Sequence, residues 1–578
     1  MILIFLKISI FFVLLCDAQS IINTLNGPVQ GINKHFEEGI VTEYLGLPFA
    51  KFPYKYQRFM PPSDLGKPEW SETFFAKNPA VSCYQYSEHF NFSGIDYLNS
   101  TNKLREDYLE LNMWVPQNKS GAVLVVIFAG GFTSGSPSSD SNNGSVLALK
   151  SRAIVININY RLGIFGFAYL GENSKIKGNM GFLDQQMGMK WVYENIGNFG
   201  GNKDMITIFG QCSGGASVTA HFLSETSKNY FKRAVVFSAT IANFWVTVSP
   251  KTVQENTETV AKLLKCSGND EEKMKCLQTV DASKLLKASV TLHNRKLKTS
   301  NDAFLPINSD TVFFKGSVDD KLKKKQMKND FDLLFGRDSD EGTYFMVKYL
   351  KKFGCNFDPK KHPECEDNSC RLNDTTFRDA VQILSNMVEF NQNETAELFM
   401  IYNSIKATKP REKVAQLFSD VIINCECSLF LDSYLDTTNK NIYLFEFRRR
   451  STVNPSPKWM GINHGSELYY FFGHPFRYPY KYDRKDLQFE KKFSEKLMED
   501  LGEFAATGKP KTNWKKFTKA SKKAFIIDDF YCKKNHKKYV LATSKRCVKF
   551  NQLMEQRELS YKRNFFLNEE NEQIDNIT

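Results

Sequence analysis

Gly210-Gln211-Cys212-Ser213-Gly214-Gly215 has the spacing glycine, any residue, nucleophile, any residue, glycine, with a thiol at its centre. That spacing belongs to a sharp strand-to-helix turn. Glycines flank the reactive residue because a Cβ at either flank would collide across the bend. The surroundings agree: Met205-Ile206-Thr207-Ile208-Phe209 is a short apolar β-type run ending at Gly210, and Ala216 to Leu223 can continue as a helix. Ser213 does not fit the central position, since the glycine required two residues before it is Gln211. The pattern predicts Cys212 at the tip of a nucleophile elbow.

Three other segments complete a site for acyl transfer. Leu124-Val125-Val126-Ile127-Phe128 reads as a buried strand running into Ala129-Gly130-Gly131-Phe132. Consecutive glycines after a strand let backbone N–H groups approach a substrate oxygen, as an oxyanion hole requires, and the N–H of Ser213 would be the third donor. Leu333-Leu334-Phe335-Gly336 is again strand-like and leads to Asp338-Ser339-Asp340-Glu341-Gly342, while Asn463-His464-Gly465 places a histidine in a glycine-rich loop. Alone, Glu341 reads as a surface carboxylate and His464 as a loop residue. In the order nucleophile, acid, histidine, beside the elbow and the glycine loop, they occupy the triad positions of an α/β-hydrolase.

Longer stretches carry a resemblance. Gly178-Asn179-Met180-Gly181-Phe182-Leu183-Asp184-Gln185-Gln186, then Trp191-Val192 and Asn195-Ile196-Gly197-Asn198-Phe199-Gly200-Gly201, resemble signature segments of the type-B carboxylesterase family, in its cholinesterase-like branch. Asn159-Tyr160-Arg161-Leu162-Gly163, Glu106 to Asn112 and Phe504 to Pro510 resemble further segments, so the similarity spans roughly residues 25 to 555. The resemblance implies one α/β-hydrolase domain: a large, mostly parallel sheet flanked by helices, with long insertions forming a gorge. It implies catalytic roles for Cys212, Glu341 and His464, oxyanion roles for Gly130, Gly131 and Ser213, and disulfides Cys266–Cys276 and Cys425–Cys547. Cys266 and Cys276 also bracket a short charged loop that a local bond would close.

Against the same family the chain departs at four places. The nucleophile is Cys212. Cys83 resembles one member of a disulfide whose partner position is Tyr108. The indole that binds choline appears as Leu98, and the carboxylate before the nucleophile as Gln211. An indole face and a nearby charge together hold a quaternary ammonium, the cation–π part contributing about 2 kcal/mol or more when desolvated. Losing both disfavours choline esters. Trp245, Tyr344 and Phe345 resemble gorge-lining aromatics and imply an apolar pocket, with three core aromatics as the lesser alternative. Two function classes follow: a hydrolase of ester or thioester bonds through a Cys-His-Glu triad, or a catalytically inactive binding or adhesion protein on the same scaffold. A redox role for Cys212 is disfavoured, because no second thiol lies nearby in sequence to resolve a disulfide.

Compartment and partners follow from composition. Residues 1–19 read as a secretory signal, 20–562 as the hydrolase domain and 563–578 as a polar tail. Asn91, Asn99, Asn118, Asn143, Asn373, Asn393 and Asn576 each head an N-x-S/T triplet, which together with the signal predicts a secreted glycoprotein. No later stretch reads as a membrane span. Without Cys16 eleven cysteines remain, an odd number that leaves a free thiol in an oxidising compartment, with Cys212 the natural candidate. The pairing of Cys83, Cys355, Cys365, Cys370, Cys427 and Cys532 is not legible. Zinc is disfavoured for Cys355, Cys365 and Cys370, which lack C-x-x-C spacing. No metal or cofactor is expected. The net charge of +13 suits an anionic surface or protein partner besides a small-molecule ester or ligand. The runs Lys321–Lys328 and Arg448-Arg449-Arg450 read as solvated faces, and no nucleic-acid module is recognisable.

Overall fold

The computed structural model describes residues 21–51, 55–86, 102–296, 303–358, 361–406 and 409–557. The expected leader and tail, Leu98, and the sequons at Asn91, Asn99 and Asn576 lie outside them. Eleven strands form the main sheet: β1 (Ile32–Phe36), β2 (Gly39–Pro48), β3 (Glu110–Pro116), β4 (Val123–Ile127), β5 (Ile154–Ile158), β6 (Ile206–Gln211), β7 (Arg233–Phe237), β8 (Asp332–Asp338), β9 (Ile442–Phe447), β10 (Lys523–Ile527) and β11 (Tyr539–Leu541). Their spatial order is β11-β10-β9-β8-β7-β6-β4-β5-β3-β2-β1. The run from β5 through β10 is parallel, and the strands outside it pair antiparallel.

The apolar run seen in β4 has a direct cause. Val123, Val125 and Ile127 face one core cluster while Leu124 and Val126 face another, and all five are buried. A strand covered on both faces has no solvent side to make polar, so alternation disappears from its sequence. Strand β6 repeats the pattern, with Ile206 and Ile208 on one side and Phe209 on the other. The helices that matter for the site are α1 (Met180–Asn195), α2 (Ser213–Phe222), α3 (Gly342–Tyr349), α4 (Cys425–Leu435) and α5 (Arg484–Thr507).

Two of the segments that carried the family resemblance meet as a buried ion pair. Arg161 donates from Nε and Nη2 to the two carboxylate oxygens of Asp184, both at 2.7 Å, and its backbone N–H adds a third bond at 3.0 Å. Both side chains are buried, and only this bidentate geometry offsets the desolvation of two charges.

Cys266–Cys276 and Cys425–Cys547 are bonded as the resemblance implied, and Cys355–Cys370 forms a third disulfide. Cys83, Cys212, Cys365, Cys427 and Cys532 are free thiols. Cys83 touches the very residue at its missing partner's position, its thiol donating to Tyr108 Oη at 3.0 Å. Burial pushes that thiol up to about 12, so it remains a neutral donor.

One expectation is corrected. Arg448-Arg449-Arg450 is not a solvated run. Arg449 is buried, pairing with Glu490 at 2.9 Å and with Asp529, and Arg450 Nη1 donates to the Gly461 carbonyl at 2.7 Å. The segment Pro410–Leu435, which ends in α4, is long and apolar enough to cross a membrane, but 83% of its apolar window is buried inside the protein. Its hydropathy is that of a core helix.

Candidate active site

Cys212 sits between the end of β6 and the start of α2 with φ 54° and ψ −127°. A non-glycine residue holds such angles only where its surroundings over-determine them, at a cost of about 1–3 kcal/mol. Two contacts impose them here. The Cys212 N–H donates to the Phe237 carbonyl at the end of β7, at 2.9 Å. Gly214 lies so close to β4 that a Cβ there would stand 2.1 Å from the Ile127 carbonyl oxygen. The thiol is partly exposed, whereas Ser213 beside it is fully buried.

Glu341 follows β8 and is buried on all sides. Its Oε1 accepts from Ser238 Oγ at 2.6 Å and from the Asp338 N–H at 2.8 Å. Its Oε2 meets His464 Nδ1 at 2.5 Å. Neighbours of Glu341 also hold the histidine loop in place: Asp340 Oδ2 accepts from the Ile462 N–H at 3.0 Å, and Thr343 Oγ1 donates to the Met460 carbonyl at 2.7 Å. A carboxylate at Nδ1 fixes the proton on that nitrogen and turns Nε2 outward as a base. Burial alone would depress the imidazole. The charges of Cys212 and Glu341 outweigh it and hold His464 well above the ordinary histidine value.

Gly130 and Gly131 follow β4 in left-handed conformations, φ 135° and 62°. A Cβ on Gly130 would overlap the Ser134 carbonyl at 2.0 Å. Ser213 opens α2, so its N–H has no intrahelical acceptor. One donor of the expected cradle is already engaged: the Gly131 N–H donates to Ser213 Oγ at 3.0 Å. Gln211, buried, places its amide nitrogen 3.2 Å from His464 Nε2, the nitrogen that would receive a thiol proton.

Of the expected aromatics, Tyr344 and Phe345 stand beside the imidazole, with ring centroids 5.5 and 5.3 Å from that of His464. The Trp245 indole N–H donates to the Ile422 carbonyl at 3.0 Å. Three polar residues behind the site escaped the sequence reading. Ser238 buttresses Glu341. Asp338 and Glu467 are buried within one percent of fully, and the Ser466 N–H donates to Asp338 Oδ2 at 3.0 Å. Burial and the Glu467 charge raise Asp338, and burial and the Glu341 charge raise Glu467 to about 7, so the pair retains a proton that neither would keep in water. Asp338 and Glu467 both lie within the stretches quoted above, but spacing alone did not reveal that their carboxyls converge.

Four sequons fall on described residues. Asn118, Asn373 and Asn393 are exposed and Asn143 is half-buried. Asn373 caps its helix through Oδ1, accepting from the Thr376 N–H at 2.9 Å.

The model of the carboxylesterase family matches residues 18–544. Acetylcholinesterase 4 of Caenorhabditis briggsae is 32% identical over 507 residues, covering 82% of this chain and 81% of that protein. Cholinesterase of Mus musculus is 32% identical over 476 residues (79% and 74%), and acetylcholinesterase of Bungarus fasciatus 31% over 463 residues (78% and 73%).

Proposed function

The chain belongs to the carboxylesterase family, and from that premise we propose that it is a secreted hydrolase of uncharged or anionic ester or thioester bonds, working through Cys212, His464 and Glu341. The observation that carries this reading is the Glu341–His464 contact of 2.5 Å behind a thiol on an elbow backbone. Cys212 gives its proton to Nε2, and the thiolate attacks the carbonyl carbon. The carbonyl electron pair moves onto oxygen, facing the N–H groups of Gly130, Gly131 and Ser213. Collapse expels the alkoxide, which takes the proton from Nε2 and leaves a thioester on Cys212. Water then attacks that thioester while Nε2 takes its proton, and the acid departs as Cys212 recovers its thiol.

Gln211 provides no anionic partner for a quaternary ammonium, which supports the preference against choline esters. Three disulfides support an oxidising, extracellular compartment.

A second reading, a binding or adhesion protein without turnover, is favoured by one observation: the Gly131 N–H is spent on Ser213 Oγ. Receiving an oxyanion there requires breaking that bond, at about 0.5–1.5 kcal/mol. The test is incubation with a p-nitrophenyl ester, with and without a thiol alkylator, and location of adducts by mass spectrometry. Acyl-Cys212 with turnover abolished by alkylation supports the hydrolase. Undiminished turnover after Cys212→Ala rejects the cysteine mechanism, and absence of both turnover and acylation selects the binding protein. Turnover that appears only in Cys212→Ser would show that the nucleophile alone had been lost.

A further inference from the structure

The positive charge of this protein is concentrated in one part of the chain. Residues 509–549 hold thirteen lysines and Arg546 against Asp528 and Asp529, a balance of +12 within a total of +13. Four Lys-Lys doublets stand in that stretch, at 515–516, 522–523, 533–534 and 537–538. The fold gathers these residues at one end of the sheet. Strand β11 is its terminal strand, paired with β10 through Lys523↔Leu541 and Phe525↔Tyr539. The Lys515 N–H donates to Tyr539 Oη at 3.0 Å, and the Ile526 N–H to the Lys538 carbonyl at 2.9 Å.

Acidic partners are few there. Lys511, Lys519, Lys522, Lys538 and Arg546 pair with Glu499, Asp436, Asp432, Asp528 and Asp420. The other nine, Lys509, Lys515, Lys516, Lys523, Lys533, Lys534, Lys537, Lys545 and Lys549, are all exposed, and none makes an ion pair among the described residues. Lys533 and Lys538 flank the ring of Phe530 at 4.3 and 4.2 Å, which holds two ammonium groups close together despite their repulsion.

Protection of an exposed strand edge is a common use of lysine, but β11 itself is Tyr539-Val540-Leu541 and carries none. The lysines lie in the segments around it.

We infer that this end of the sheet is a docking surface for a linear sulfated polysaccharide. Lysine is a point charge without the planar fork that reads phosphate or base edges, and the one arginine is committed to Asp420. The large exposed apolar side chains of the stretch are Phe530, Leu541 and Val548, too few beside nine unpaired lysines for the apolar face of a membrane-lying element. Repeated doublets match a polymer with repeated anionic groups, and the extracellular compartment proposed above, which the disulfides support, is one where sulfated glycans occur and nucleic acids are scarce. This surface is independent of the chemistry at Cys212.

The test uses the whole protein and a heparin decasaccharide, with affinity measured against salt concentration. Each lysine contact releases condensed counterions, so replacing Lys516, Lys533, Lys534 and Lys537 by Gln should lower the log–log salt slope by about 3 and weaken binding at least about tenfold. Replacing Lys251, Lys262, Lys284 and Lys287 by Gln removes the same charge from elsewhere and should change affinity less than about twofold. Equal losses in both variants, or no binding by the wild type, would overturn the inference. So would phosphatidylserine vesicles or poly-glutamate binding as tightly as the decasaccharide, each of which would assign the surface to a different partner.

Discussion

Glu341→Gln alters one functional group and leaves the site's packing in place. Oε1 accepts from Ser238 Oγ and from the Asp338 N–H, and an amide oxygen can keep both bonds. The amide NH2 must then face His464 Nδ1, where Oε2 stood at 2.5 Å. Two donors cannot share that contact, so Nδ1 becomes the acceptor and the ring proton moves to Nε2, the nitrogen that should receive the thiol proton. The charge that holds the imidazolium is lost as well. Without its carboxylate the imidazole no longer draws the thiol proton, so alkylation of Cys212 by iodoacetamide at pH 7, located and timed by mass spectrometry, should slow in the variant. Ester turnover should fall further, by about 10³- to 10⁴-fold, and should not recover at high pH, because Nε2 still cannot shuttle the proton. Wild-type alkylation of Glu341→Gln at pH 6–7 would refute the reasoning, since the carboxylate would then have no hold on the thiol through the imidazole.

Ser213→Ala should free the Gly131 N–H, whose 3.0 Å bond to Ser213 Oγ must otherwise be broken to receive an oxyanion. A neutral hydrogen bond of about 0.5–1.5 kcal/mol predicts a 2- to 10-fold rise in kcat/KM for p-nitrophenyl esters. Gln211→Glu should restore a negative charge in the pocket and shift the kcat/KM ratio of cationic to uncharged esters upward about 5- to 30-fold, for about 1–2 kcal/mol of partly screened attraction. Glu426, buried and pushed up to about 8 by desolvation, accepts from the Phe244 N–H at 2.8 Å. Because its folded pKa exceeds the unfolded one, it binds more protons when folded between about pH 4.5 and 8. Its contribution to stability therefore falls as pH rises through that window, by up to about 1.4 kcal/mol per unit. Glu426→Gln keeps the acceptor without the charge, so urea denaturation should show a flatter pH profile over the same range.

The elbow, the glycine loop and the order of acid and histidine were legible because each depends on local sterics or on parallel-strand topology. A residue at Gly214 with a side chain would strike Ile127, and β4 needs an unbroken apolar run because both of its faces are covered. What stayed hidden depends on side chains converging from distant segments. Nothing in the spacing of Ser213 shows that its hydroxyl accepts from Gly131, 82 positions away. Arg449 sits in a basic triplet that reads as solvated, yet Glu490 and Asp529 draw it inward. Cys355–Cys370 could not be paired from sequence, because several unpaired cysteines were within reach and only the fold chose among them.

Backbone strain at Cys212 does not by itself distinguish an enzyme from a retired scaffold. The Phe237 carbonyl and the approach of α2 to β4 impose that conformation on whatever residue occupies the tip. The histidine loop carries more weight. His464 is buried, its loop is tied by Asp340 and Thr343, and its Nδ1 is matched to a carboxylate that Ser238 and a backbone N–H hold from behind. No packing requirement calls for a charged residue there, and a hydrophobic replacement of similar volume is often neutral or stabilising at a buried pair. The weaker element of catalysis is thus the cradle. Sulfur extends the nucleophile by about 0.4 Å relative to oxygen, and misplacement of order 1 Å can cost about 100-fold. The Ser213 hydroxyl meanwhile occupies a donor meant for substrate. Both defects act on the geometry of the oxyanion. Slow ester turnover behind a complete Cys-His-Glu arrangement is therefore the behaviour this geometry dictates, and an acyl-Cys212 that forms and then deacylates slowly would be its signature.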